Sequence, residues 1–274
     1  VGSPIVVGGV VYVGSYDHKV YAFNATTGES IWAYTTGGIV ISKPAVAKGI
    51  VCVGSEDYNL YALNAATGQK LWNFSTGYYV DSDPTIVDGV VYFGSEDSRV
   101  YALNVTSEEL LWSYQTGNSI MLSSATVSEG LVYVGSLDSK LYALNASDGS
   151  LVWSYQTGNQ IVSVPAVADN IVYVGSSDNS VYALDALDGT LKWNYSTGGD
   201  VYSSPQIAGD LVYVGSLDGQ VYALSASDGS VVWSYQTGGG VASAPTVADD
   251  VVYVGSNDNR IYALDASNGE AKWS

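Results

Sequence analysis

Seven carboxylates recur in one setting, G-S-x-D, at Asp17, Asp57, Asp97, Asp138, Asp178, Asp218 and Asp258. A ring of acids invites metal binding or acid–base chemistry. Yet an Asp in a turn accepts hydrogen bonds from its own backbone two residues on, and an identical residue in every copy suits a shared structural task. No catalytic or metal role is assigned to these residues. The other reactive side chains stand alone. His18 has no partner in the sequence pattern, and the single Cys52 cannot form an internal disulfide or a multi-thiolate metal site. Cys52 occupies a place where sister segments carry Tyr and reads as a small core residue.

One acidic set exceeds the sevenfold pattern. Asp81 and Asp83 follow a T-G turn where other copies read Ile41 and Lys43, Leu122 and Ser124, Val162 and Val164, Tyr202 and Ser204, or Ala242 and Ala244. With Glu56, Asp57, Glu96 and Asp97, and with Tyr78 and Tyr79 beside them, they are expected to form one acidic, Tyr-flanked patch. Focused negative potential suits a cationic peptide or a basic protein surface, and the tyrosines would also suit a sugar. A second departure is the extra residue in 118–124, which carries the only Met, Met121, on the expected same face and has Ala125 in place of the usual Pro. It reads as a tolerated loop insertion.

The scaffold that must position these groups is globular. The chain has 274 residues, 47% hydrophobic and 13% charged, with 23 Tyr and 7 Trp, a composition that excludes disorder. Its 27 acids against 9 Lys and Arg give a formal charge of -18, which repels nucleic acid and anionic lipid. No apolar run reaches the roughly 18 residues that span a bilayer. The sequence begins with Val1 and shows no signal peptide, so it is expected to be flanked by other domains in a longer chain.

Self-similarity reveals the architecture. Trp32, Trp72, Trp112, Trp153, Trp193, Trp233 and Trp273 are spaced by 40 or 41 residues, each within a unit close to S-x-P-x-V-x-x-G-x-V-Y-V-G-S-x-D-x-x-V-Y-A-L-x-A-x-x-G-x-x-x-W-x-Y-x-T-G. Only Tyr16, Tyr58, Tyr78, Tyr79 and Tyr202 fall outside the repeated Tyr positions. Short β-branched and aromatic runs separated by Gly, Asp, Asn and Ser predict four strands per unit, as over 165–168, 171–175, 180–184 and 191–195. Four-stranded units of this length build propellers, so an all-β, seven-bladed β-propeller is expected, with blades at about 1–37, 38–77, 78–117, 118–158, 159–198, 199–238 and 239–274. Each blade should be continuous in sequence, with no strand borrowed from the opposite terminus. One Trp buries about 150–250 Å², roughly 4–6 kcal/mol gross per blade. The unvarying Ala of Y-A-L suggests that the Trp is its neighbour. Six turns carry Gly four residues before the Trp, where positive φ is expected; Glu108 stands in the third.

On these residues the unit resembles the pyrroloquinoline-quinone-type propeller repeat, whose A-x-D-x-x-x-G-x-x-x-W signature appears as Ala183, Asp185, Gly189 and Trp193, or Ala263, Asp265, Gly269 and Trp273. Asn24, Asn64, Asn104, Asn145 and Ser225 relax the acidic position. The resemblance spans the chain and implies Trp residues docked between blades. That family includes quinone-dependent dehydrogenases, scaffold propellers of outer-membrane barrel assembly, and cell-surface propellers of archaea and bacteria. Its dehydrogenases hold the quinone between a dedicated Trp and a vicinal disulfide, beside calcium. Here the repeat uses every Trp and Cys52 is alone, so neither cofactor nor metal is expected.

The N-x-[ST] triplets at Asn24, Asn73, Asn104, Asn145 and Asn194 are explained largely by turn capping and Ser/Thr abundance. The expectation is a non-enzymatic extracellular or cell-surface scaffold of prokaryotic type, binding a protein, peptide or glycan. A quinone-dependent oxidoreductase and a sugar-binding lectin are the alternatives.

Overall fold

In a computed structural model, which describes residues 2–274, the repeat becomes seven antiparallel four-stranded sheets, with no helix among the described residues. The second is representative: Ala45–Ala47, Ile50–Gly54, Asn59–Asn64 and Lys70–Ser75 pair in chain order. The strands expected over 165–195 lie at Ala166–Ala168, Ile171–Ser176, Ser180–Asp185 and Leu191–Ser196. The chain is a seven-bladed β-propeller. The first blade begins with Ile5–Val7 and the last ends with Ala271–Trp273, and neither borrows a strand.

Turn chemistry fixes each blade. In the second, Asn64 Oδ1 accepts from the N–H groups of Ala66 and Thr67, both at 3.0 Å, and Gly68 follows with φ of 71°. The register slips between Ala62 and Leu63, a bulge that re-aims the fourth strand. Each fourth strand is a sheet edge, and six of the seven bury their Trp. Neighbours of the Trp stay exposed, including Leu110 and Leu111, Leu151 and Val152, and Val231 and Val232.

Two compact units are distinguished. One runs to Ser136 and takes in Leu144–Ser150; the other comprises Leu137–Ala143 and Leu151–Ser274. Within the first, Tyr12, Val20, Ala22 and Trp32 pack against Val51, Val53, Tyr61 and Leu63 of the next blade. The Trp32 indole N–H donates to the Ala65 carbonyl at 2.9 Å, Trp72 to Val105 at 3.0 Å and Trp112 to Ala146 at 2.9 Å. Within the second, Trp153, Trp193 and Trp233 donate to the carbonyls of Ala186, Ala226 and Ala266 at 2.9–3.0 Å. A Cβ on Gly68 would stand 2.6 Å from the Trp32 ring, so this glycine is required by close approach as well as by φ.

Docked, these six tryptophans are 7–8% exposed. Trp273, in the last strand of the chain, is 54% exposed, and its ring lies 6.0 Å from Tyr253 of its own blade. Glu108 keeps the left-handed turn of its glycine sisters, with φ of 62°.

The linkers between blades are pinned from beneath. Ser82 Oγ donates to the Gly94 carbonyl and accepts from the Gly94 N–H, both at 2.8 Å, and Ser42 does the same at Gly54. Such a buried serine satisfies a backbone donor and acceptor at once, which accounts for the S-x-P serine of the repeat.

Candidate functional site

The linker 78–83 threads between two turns, one after the second strand of blade two and one after that of blade three. The Val80 N–H donates to the Ser55 carbonyl at 3.2 Å and the Glu96 N–H to the Tyr79 carbonyl at 2.9 Å. Asp81 is thereby set between Glu56 and Glu96. It is only 8% exposed, and burial, reinforced by the charges of Glu96 and Glu56, pushes its carboxyl up to about 7. Burial also raises Glu96, with a further push from Glu56 and an opposing hydrogen bond from Asp81. When both acids are ionised, the buried Oδ1 of Asp81 has no hydrogen-bond partner among the described residues. A proton shared with Glu96, or a cation, supplies one.

Asp83 lies apart from this set. Residues 81–84 are not strand, so the two-residue spacing does not put both carboxyls together. Asp83 Oδ1 accepts from the Lys43 N–H at 2.7 Å, and its own N–H donates to Ser124 Oγ at 2.9 Å. Burial raises its carboxyl, against the lowering effects of the Lys43 N–H and charge.

Asp57 and Asp97 are spent on the fold. Asp57 Oδ2 accepts from the Gly37 N–H of the preceding blade and from the Tyr61 hydroxyl, both at 2.6 Å. Asp97 Oδ2 accepts from Gly77 and Tyr101, both at 2.7 Å. Asp178, Asp218 and Asp258 repeat this in the second unit, tying blade to blade.

On the same turn and linker three aromatic side chains gather. Tyr58 stacks on Tyr78 at 5.3 Å and 17°, and Tyr79 lies 4.4 Å from Tyr78 and 5.4 Å from Tyr58. The Tyr79 hydroxyl is raised by Tyr78, by burial, by Tyr58 and by Glu56. Sequence reasoning passed over Tyr58. Its signal was a Tyr at a left-handed turn position, φ 72°, where sister turns carry His, Ser, Asn or Gly.

The remaining candidates are quiet. The insertion in 118–124 is absorbed by a tight turn in which Leu122 has φ of 62° and the Ser123 N–H donates to the Met121 carbonyl at 2.8 Å. Ser119 Oγ donates to the Glu96 carbonyl at 2.9 Å, so this loop buttresses the acidic turn. Cys52 is buried, and burial pushes its thiol far up. His18 is exposed in a turn. Among the described residues no three His, Cys, Asp or Glu side chains are grouped to hold a metal ion.

The family model described as beta-alanine-activating enzyme, beta-propeller, matches residues 2–208. The chain belongs to this β-propeller family. A second model, outer membrane protein assembly factor BamB, matches residues 197–274 of the propeller. Among solved structures the propeller is similar to BamB from Moraxella catarrhalis, with TM-score 0.80 and 21% identity over 93% of this chain and 81% of that one. It is also similar to the computationally designed Ika8 protein, with TM-score 0.87 and 18% identity over 98% of this chain and 85% of that one. At these identities the likeness is one of fold. No curated protein matches the chain. The pyrroloquinoline-quinone-type resemblance of the repeat agrees with the BamB match.

Proposed function

We propose that this propeller is a non-catalytic, extracytoplasmic binding and scaffold module, and that the face carrying Glu56, Asp81 and Glu96 receives a basic protein or peptide. The carrying observation is the convergence of three carboxyls, one of them buried with an oxygen lacking a hydrogen-bond partner, next to a Tyr58, Tyr78 and Tyr79 cluster in which Tyr79 feels the charge of Glu56. A Lys or Arg head placed there gains ion pairing at the acids and cation–π attraction at the rings. Such a cation satisfies Asp81 without a proton. Similarity to BamB, whose printed name is that of an outer membrane protein assembly factor, supports a protein partner and a location outside the cytoplasm. The description naming a beta-alanine-activating enzyme belongs to that protein, and no reactive constellation here supports carrying its activity over.

Titration calorimetry with an oligolysine or oligoarginine peptide tests this reading. Saturable binding that weakens with salt and is lost in Asp81→Ser supports it. Binding unchanged by that substitution moves the site elsewhere. Saturable binding on a glycan array without peptide binding favours the lectin alternative, and stoichiometric quinone uptake with dye-linked alcohol oxidation favours the oxidoreductase.

A further inference from the structure

The acidic set and the tyrosine cluster lie on blades two and three, wholly inside the first unit, and together they specify more than a positive charge. Tyr58 and Tyr78 are near-parallel, and they are 41% and 42% exposed. Each ring has one face on its partner and keeps solvated surface on which a further flat group can lie. The acids set a second condition. The carboxyls of Asp81 and Glu96 are close enough to share a hydrogen bond when one of them holds a proton, and the charge of Glu56 reaches both of them and the Tyr79 hydroxyl. Asp81 is more than nine-tenths buried, and its Oδ1 lacks a hydrogen-bond partner among the described residues. Among those residues none of the three acids is paired with a Lys or Arg. No other linker combines these features: Ile41, Leu122, Val162, Tyr202 and Ala242 take the place of Asp81, and Gly or Asn takes that of Tyr78.

We infer that the cation delivered by the basic partner proposed above, a reading on which this one rests, is the guanidinium of an arginine, lying flat against the Tyr58–Tyr78 stack with its N–H edge toward Glu56, Asp81 and Glu96. A guanidinium is planar and stacks on aromatic faces, and its five N–H donors stand in a fixed fork that serves two carboxylates at once. It is also weakly hydrated, so little water has to be stripped from it beside a buried carboxyl. A lysine ammonium meets neither condition as well. It is a compact, strongly hydrated point charge with three donors and no flat face to continue the stack. Both cations gain from the acids, but the rings and the buried carboxyl favour the flat one.

The test is titration calorimetry of the full chain with oligoarginine and oligolysine peptides of equal length, on the parent and on a variant carrying both Tyr58→Ser and Tyr78→Asn. These substitutions introduce residues that sister copies already carry, Ser98 and Ser139 at the first place and Asn118 and Asn159 at the second, and far-UV circular dichroism checks that the fold is retained. The parent is expected to bind oligoarginine about tenfold more tightly than oligolysine, and the double substitution to weaken oligoarginine by about tenfold and oligolysine by about twofold or less. Equal affinity of the parent for the two peptides, lost in Asp81→Ser, overturns the inference and leaves the basic-partner reading standing. Equal weakening of both peptides by the double substitution also overturns it, because the rings then do not distinguish the cations. Binding of neither peptide to the parent overturns the basic-partner reading and this inference with it.

Discussion

At the scale of single residues, Asp81 and Glu108 each carry a cost that a substitution removes. The Asp81 carboxyl, raised to about 7 by burial and by Glu96 and Glu56, holds its proton in the folded state over a range where the unfolded chain has lost it. The folded state therefore binds more protons between about pH 4 and pH 7. Its stability falls as pH rises through that window. Asp81→Asn should equal the parent near pH 4 and exceed it by about 1–3 kcal/mol at pH 8, measured by urea unfolding at both values. By the same linkage, affinity for a basic peptide should rise from pH 6 to pH 8 as the site ionises. Glu108 holds φ of 62° where six sisters have Gly, a conformation that is unfavourable for an L side chain. Glu108→Gly should raise stability by about 1 kcal/mol, and a measured loss would mean that the Glu side chain supports its turn.

At the scale of blades, the same Trp has two different weights. Trp193 is buried against the next blade, with its N–H on the Ala226 carbonyl at 2.9 Å. Trp193→Ala should cost about 3–5 kcal/mol by leaving a cavity and an unpaired carbonyl. Trp273→Ala should change stability of the dilute chain by about 0.5 kcal/mol or less, since the ring is largely solvated. Thermal unfolding of the two variants side by side checks the contrast. The strands and turns were legible because they depend on local spacing: alternation across a strand, Asn or Asp before a turn, Gly at positive φ. The exposure of Trp273 was not, because its motif is identical to the six that dock. Asp83 was grouped with Asp81 because both depart from the sister copies on one linker, whereas its carboxyl is taken up by the Lys43 N–H of the preceding linker, a contact that no local pattern records. Tyr58 was missed because its importance arises from two aromatic neighbours on the following linker, a contact between blades that no local pattern records.

At the scale of the whole molecule, the repeat leaves every fourth strand as an edge, and on three of them two exposed apolar side chains stand before the Trp: Leu110 and Leu111, Leu151 and Val152, and Val231 and Val232. Unpaired strand edges with apolar flanks are templates for pairing with other chains, and soluble proteins guard them with charge. Lys70, Lys192 and Lys272 guard three of the other edges, whereas these three strands carry no charge and their protection is collective: an excess of 18 acids over bases keeps molecules apart. The consequence is a colloidal one. As the pH is lowered into the carboxylate range the excess vanishes, and the chain should precipitate while its blades are still folded. Light scattering should rise before the near-UV dichroism of the tyrosines and tryptophans is lost, and Leu110→Lys with Val231→Lys should move the onset of turbidity. The acidity of this sequence is then in part a solubility device, made necessary by three uncharged, apolar strand edges.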